Sequence, residues 1–169
     1  MTDLALFESL LSCNTVEELH AKTSAITQRM GFEHFLYGMQ LQTKSGPPWQ
    51  FILSGYPEDW VKHYSDAGYQ NVDPVVKHCI QNVIPVVWDD FVSLRPAAKK
   101  VMDEAKDFGL ATGMSCPLRG FGNEQALLSV AIDRTTRAAR QDMFHELGNV
   151  QLLANYVHEA VRKVVLKKT

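Results

Sequence analysis

Tyr56, Trp60, Tyr64, Asp73 and Trp88 could together hold a small polar molecule. Trp60 and Tyr64 are one helical turn apart, so on a helix both rings face the same way, with Tyr56 at the mouth of that helix. An indole N–H only donates, an ionised carboxylate only accepts, and a phenol does either. Such a set can satisfy a carbonyl and an amide N–H of one ligand simultaneously, beside an apolar core. Each member also has an ordinary structural use. Trp60 and Tyr64 serve equally as core aromatics, and Asp73 before Pro74 is a natural helix N-cap. A carboxylate has two oxygens, so capping and ligand binding are compatible.

The patterns that would support catalysis are incomplete. His145-Glu146 and His158-Glu159 begin the HExxH zinc motif, but Asn149 and Arg162 stand where the second histidine would complete the metal face. His20, His34, His63 and His78 show no ligand spacing. His78 and Cys79 are consecutive on a predicted helix, so their side chains diverge and cannot pair as nucleophile and base. Cys79 reads instead as a small buried hydrophobe. Gly120-Phe121-Gly122 has Gln125 where GxGxxG needs its third glycine, and it lies between predicted strands, as a hairpin turn would. The expectation is a binding protein with no catalytic residue, no metal and no cofactor.

The elements that must position these residues can be read from turn and cap signals. Asn14 or Thr15, followed by Glu17 and Glu18, resembles a capping box that opens a helix ending at Gly31. Residues 32–41 and 49–53 read as strands of a hairpin. Pro57 opens a short helix over 58–67, and Asp73-Pro74 caps another running to about Asn82. Residues 84–88 form a brief extended piece, and a helix over 97–108 stops at Gly109. Residues 114–118 and 126–132 flank the Gly120–Asn123 turn as a second hairpin. A long helix over 138–165 carries Met143, Leu147, Val150, Ala154, Val157, Val161 and Val164 as one apolar stripe. Phe144, Leu153, Tyr156 and Val165 lie beside that stripe, which predicts a homodimer through this helix. Hairpins without regular βαβ alternation predict an α/β domain with an antiparallel sheet and helices on its faces.

Composition agrees with one globular domain over 1–169. The 169 residues are 46% hydrophobic and 21% charged, with a formal net charge of −2. A chain without a basic stripe is a poor direct partner for nucleic acid. The basic cluster Arg162, Lys163, Lys167 and Lys168 closes the last predicted helix, where it suits the helix dipole. Apolar runs are too short to span a bilayer, and a signal peptide is not apparent. The three cysteines have no paired spacing and read as reduced thiols, which implies the cytoplasm.

The segment Gly55-Tyr56-Pro57, Trp60, Tyr64, Ala67-Gly68-Tyr69, Val72-Asp73-Pro74, His78-Cys79, Pro85 and Trp88 resembles the autoinducer-binding domain of LuxR-type quorum-sensing regulators, in their LasR-like branch. Glu104-Ala105, Gly109-Leu110, Gly113, Pro117-Leu118 and Leu128-Ser129 extend the resemblance over nearly the whole chain. The resemblance implies a GAF/PAS-like α-β-α sandwich enclosing an N-acyl-homoserine lactone. Trp60 would donate to the lactone carbonyl and Asp73 would accept from the ligand amide. Tyr56 and Ser129 would donate to the acyl carbonyl. Trp88, Val101, Ala105 and Leu110 would surround the ring, and Leu36, Gly38, Ile52, Tyr64 and Val76 would line the acyl chain. Val61 and Val75 stand where close relatives place Arg and Thr, which implies a preference for ligands unmodified at the third acyl carbon. Gln125 and Leu127 replace smaller or more apolar tail-lining residues. The family's helix-turn-helix DNA-binding domain would lie outside these 169 residues. The competing readings are a lactone-processing enzyme and a ligand-independent dimerisation module.

Overall fold

The computed structural model describes residues 3–166. Helices α1 (Asp3–Glu8) and α2 (Val16–Arg29) precede strands β1 (His34–Leu41) and β2 (Trp49–Ser54). Helices α3 (Glu58–Asp66) and α4 (Pro74–Gln81) follow, then the short strand β3 (Val86–Val87) and helix α5 (Pro96–Asp107). Strands β4 (Thr112–Arg119) and β5 (Glu124–Ile132) lead into the long helix α6 (Arg137–Val165). The sheet order is β2-β1-β5-β4-β3, and every neighbouring pair is antiparallel.

Local signals explain most boundaries. The Thr15 hydroxyl accepts from the Glu18 N–H, and the Glu18 carboxylate accepts from the Asn14 N–H, so the predicted capping box forms with its return bond reaching one residue before the N-cap. Asp73 caps α4 with Pro74 in its first turn, and Thr136 caps α6. The residues at 84–88 form less strand than expected. Only Val86 and Val87 pair with β4, and Trp88 begins a 3-10 turn. The helix at 3–8 and the 3-10 turn Ser9–Ser12 that follows it were not apparent in the sequence.

The sheet separates two cores. Alternate residues Phe35, Tyr37 and Met39 of β1, with Met114, Cys116, Leu128 and Val130, pack against α1, α2 and α6. On the other face Trp60, Val75, Trp88, Val101, Ala105, Leu110 and Ala131 form a second cluster with α3, α4 and α5. The result is the expected α-β-α sandwich with a central antiparallel sheet.

Helix α6 is bound more deeply than its stripe alone suggests. Leu153, expected to seek a partner, is buried in its own core, and Tyr156 packs on Phe7 of α1 with ring centroids 6.3 Å apart. Phe144 and Leu152 remain 48% and 40% exposed. The basic cluster is also partly engaged. Arg162 donates to Glu124 at 2.8 Å and Lys163 to the Leu11 carbonyl at 3.0 Å, while Lys167 and Lys168 lie outside the described residues.

Candidate functional site

The face of the sheet toward α3–α5 is built in rows by strand register. Leu36 lies opposite Ser129, which lies opposite Ser115. One row further, Ile52, Gly38, Leu127 and Pro117 stand side by side. Side chains alternate along a strand, so the first row offers hydroxyls and the second offers apolar surface. At Gly38 a Cβ would sit 3.2 Å from the Ile52 Cδ1, so glycine leaves room over this row. At Gly113 a Cβ would come within 2.8 Å of the Trp88 ring and 2.7 Å of the Val130 carbonyl, so glycine lets that indole lie flat on β4.

A chain of hydrogen bonds crosses the first row. The Trp88 indole N–H donates to Ser115 Oγ at 2.9 Å, and Ser115 Oγ lies 2.6 Å from Ser129 Oγ. The Ser129 hydroxyl also acts on the Tyr56 phenol, whose ionisation burial pushes well above the ordinary tyrosine range. Ser115 was not foreseen. Residues 112–118 are buried on both faces of β4, so no alternation in the sequence marks which serine faces a site.

Helices α3 and α4 supply the roof. The Asp73 carboxylate accepts from the Val75 N–H at 2.8 Å and from the Tyr64 phenol at 2.6 Å. Burial raises the Asp73 pKa, while the bonds from Tyr64 and from the Val75 and Val76 amides pull it back. Each carboxylate oxygen retains lone-pair capacity for a ligand donor. The Trp60 ring is enclosed by Phe108, Tyr64, His63 and Tyr69, with centroids 5.2, 5.8, 6.0 and 6.1 Å away. Among the described residues its indole N–H has no acceptor.

The structure therefore gathers most of the residues expected from the sequence. Trp60, Val75, Trp88, Val101, Ala105 and Leu110 share one buried cluster, with Tyr56 and Tyr64 packed against it. Asp73 joins through Tyr64, and Ser129 through Tyr56. Leu36, Gly38 and Val76 are half-buried at its edge. Ile52 and Val61 differ from a closed lining: they stand on the rim, 53% and 37% exposed. Ile52 belongs to the edge strand, and Val61 follows Trp60 on α3, turned about 100° away from the inward face. A surface cleft lined by Leu11, Phe121, Asn155 and Arg162 lies on the opposite side of the sheet, away from this cluster. Among the described residues no group of three His, Cys, Asp or Glu could hold a metal ion, and no helix is long and apolar enough to cross a membrane.

Residues 15–161 match the family model of the autoinducer binding domain. The transcriptional activator protein AnoR of Acinetobacter nosocomialis is 28% identical over 160 residues, covering 95% of this chain and 67% of that protein. The transcriptional activator protein LuxR of Aliivibrio fischeri is 26% identical over 161 residues, covering 94% of this chain and 64% of its own length. The chain thus spans about two thirds of these relatives, which are transcriptional activators. Among solved structures, the N-acylhomoserine lactone dependent LuxR family factor CepR2 of Burkholderia cenocepacia superposes with a TM-score of 0.80 at 22% identity, covering 98% of this chain and 99% of that one. SdiA in complex with octanoyl-rac-glycerol superposes with a TM-score of 0.78 at 18% identity, covering 96% of this chain and 65% of that one. These two likenesses establish the fold. With the family match over residues 15–161, the chain belongs to the autoinducer-binding domains of LuxR-type quorum-sensing regulators.

Proposed function

We propose that the ligand is an N-acyl-homoserine lactone, held between the sheet and α3–α5, and that the domain binds it without transforming it. The observation that carries this reading is the pairing, under one roof, of an indole donor without an acceptor among the described residues and a carboxylate with lone pairs to spare. Trp60 would donate to the lactone carbonyl, and Asp73 would accept from the amide N–H. Tyr56 and Ser129 would meet the acyl carbonyl, with Ser115 holding Ser129 in place. Trp88, Val101, Ala105 and Leu110 would surround the ring. The acyl chain would run over Leu36, Gly38 and Val76 toward Ile52, with Val75 beside its third carbon and Val61 at the rim nearby. Each methylene buried there contributes about 0.8 kcal/mol, while the polar groups set orientation.

The domain would work in the cytoplasm as a homodimer, through the part of α6 that its own core leaves exposed. DNA would be reached through a helix-turn-helix domain, which the greater length of the relatives accommodates.

The test combines extraction and melting. Protein from cells fed a mixture of acyl-homoserine lactones is extracted with solvent, and the extract is read by mass spectrometry. A panel of the same lactones is then titrated in thermal melts. Ligand at a hundred times its dissociation constant adds about 2.7 kcal/mol, so a rise of several degrees is expected for the cognate chain. Flat melts across the panel with no lactone in the extract would overturn the reading. Accumulation of ring-opened or deacylated product would replace it with an enzyme.

A further inference from the structure

A carboxylate outside the proposed binding set touches two of the rings around Trp60. Glu104 stands on α5 between the buried Val101 and Ala105, at the edge of the cluster. Its Oε1 accepts from the Tyr69 phenol at 2.8 Å and lies 2.6 Å from His63 Nε2. An ionised carboxylate only accepts, so the histidine donates here as well. Lys100 approaches the other oxygen at 3.9 Å. The hydrogen bonds from His63 and Tyr69 hold the Glu104 carboxyl below the usual carboxylate range, against a smaller opposing effect of desolvation. It therefore stays ionised at neutral pH.

The two rings that Glu104 grips come from different elements. His63 lies on α3, one turn after Trp60, and Tyr69 lies in the 3-10 turn Tyr69–Asn71. They meet edge to face with centroids 5.3 Å apart, and His63 stacks on Phe108 at 6.3 Å. Phe108, His63 and Tyr69 are three of the four rings enclosing the Trp60 indole. No hydrogen bond within the described protein orients that indole, so its direction depends on this cage.

We propose that Glu104 is a positioning residue: by clasping His63 and Tyr69 it ties α5 to α3 and aims the Trp60 N–H at the ligand's ring carbonyl. This rests on the reading of Trp60 as the lactone donor. Displacing a donor from productive geometry loses its bond even when the donor remains, because hydrogen bonds weaken steeply with angle. The clasp also keeps α5 against the ring site, since Val101 and Ala105 flank the residue that makes it.

A double-mutant cycle tests this on the whole chain. N-octanoyl-homoserine lactone is titrated by calorimetry against the wild type, Glu104→Ala, Trp60→Phe and the double variant. Each single change is expected to weaken binding about tenfold, and the double variant should be no more than about twofold weaker than Trp60→Phe. In unliganded protein the Trp60 indole cross-peak, assigned by its loss in Trp60→Phe, should shift in Glu104→Ala. If Glu104→Ala does not fold, Glu104→Gln, which keeps an acceptor without the charge, enters the same cycle. A Glu104 effect of undiminished size in the Trp60→Phe background would overturn the positioning role while leaving the site intact. A Trp60→Phe variant that binds like wild type would remove Trp60 from the site, and the positioning role with it.

Discussion

Asp73 has partners with different demands, a helix amide to cap and a phenol to accept from, and the proposed ligand amide would add a third. Burial favours its protonated form, so its folded pKa lies above the unfolded value. The stability linked to that proton is fully present below the unfolded aspartate pKa of about 3.9 and is lost as pH rises through the folded pKa. Asp73→Asn carries no charge to bury, so unliganded Asp73→Asn should be at least as stable as wild type at pH 7. The two stabilities should move together as pH falls toward 4, in denaturant melts across that range. Asp73→Ala instead leaves a buried ligand amide unsatisfied, at about 1–3 kcal/mol or roughly 5- to 150-fold in lactone affinity. It also forfeits a cap worth about 1 kcal/mol, which a melt of the unliganded variant separates from binding. In the proposed pose, Val75 and the rim residue Val61 would offer no hydrogen bond to a keto oxygen at the third acyl carbon. Wild type should therefore favour unsubstituted over 3-oxo lactones of equal length by about tenfold, and Val61→Arg should narrow the ratio in matched titrations. At this scale much was legible. Asp73 announced itself through Asp-Pro, and Trp60 and Tyr64 through their one-turn spacing. Ser115 did not, because its role comes from lying opposite Ser129, a register fact no local pattern carries.

Between elements, the polar group inside the apolar core fastens α6 to the sheet. Tyr37 of β1 is fully buried, and its phenol lies 2.6 Å from His158 Nδ1 on α6. Burial holds the His158 pKa below the ordinary histidine value, so the neutral ring accepts from the phenol. Tyr37→Phe strands that nitrogen away from water, at a cost of about 1–3 kcal/mol in denaturant unfolding. Lactone affinity should be unchanged, because Tyr37 faces the core opposite the site. Caps and turns revealed α2, α4 and both hairpins from the sequence. Helix α1 escaped because six residues are too few to show a period, and Phe7 and the nearby Leu10 are held by packing rather than by propensity. Strand β3 was overestimated at 84–88 because only two of its residues find partners on β4.

For the whole molecule, the surface expected to mediate association is narrower than the sequence suggested. With Leu153 and Tyr156 taken up internally, Phe144, Gly148 and Leu152 remain as one stripe along α6, each a turn from the next. A glycine between two exposed apolar side chains lets a second helix come close. Sedimentation with ligand at tens of micromolar should show a dimer. Phe144→Ser with Leu152→Ser should give a monomer that still binds lactone. A wild type that sediments as a monomer would defeat the dimer.

The strand order has a kinetic consequence. The floor of the site joins Leu36 and Gly38, which precede the roof segment, to Ser115, Leu127 and Ser129, which follow it. Every roof residue from Tyr56 to Leu110 lies between them in sequence. As the ribosome delivers the chain, α3, α4 and α5 emerge while only the β1–β2 hairpin exists to receive their apolar faces. Pairings so distant in sequence close slowly, because loop entropy is spent before the contacts are gained. The roof is thus expected to wait for its floor, with β5, inserted between β1 and β4, among the last elements to pair.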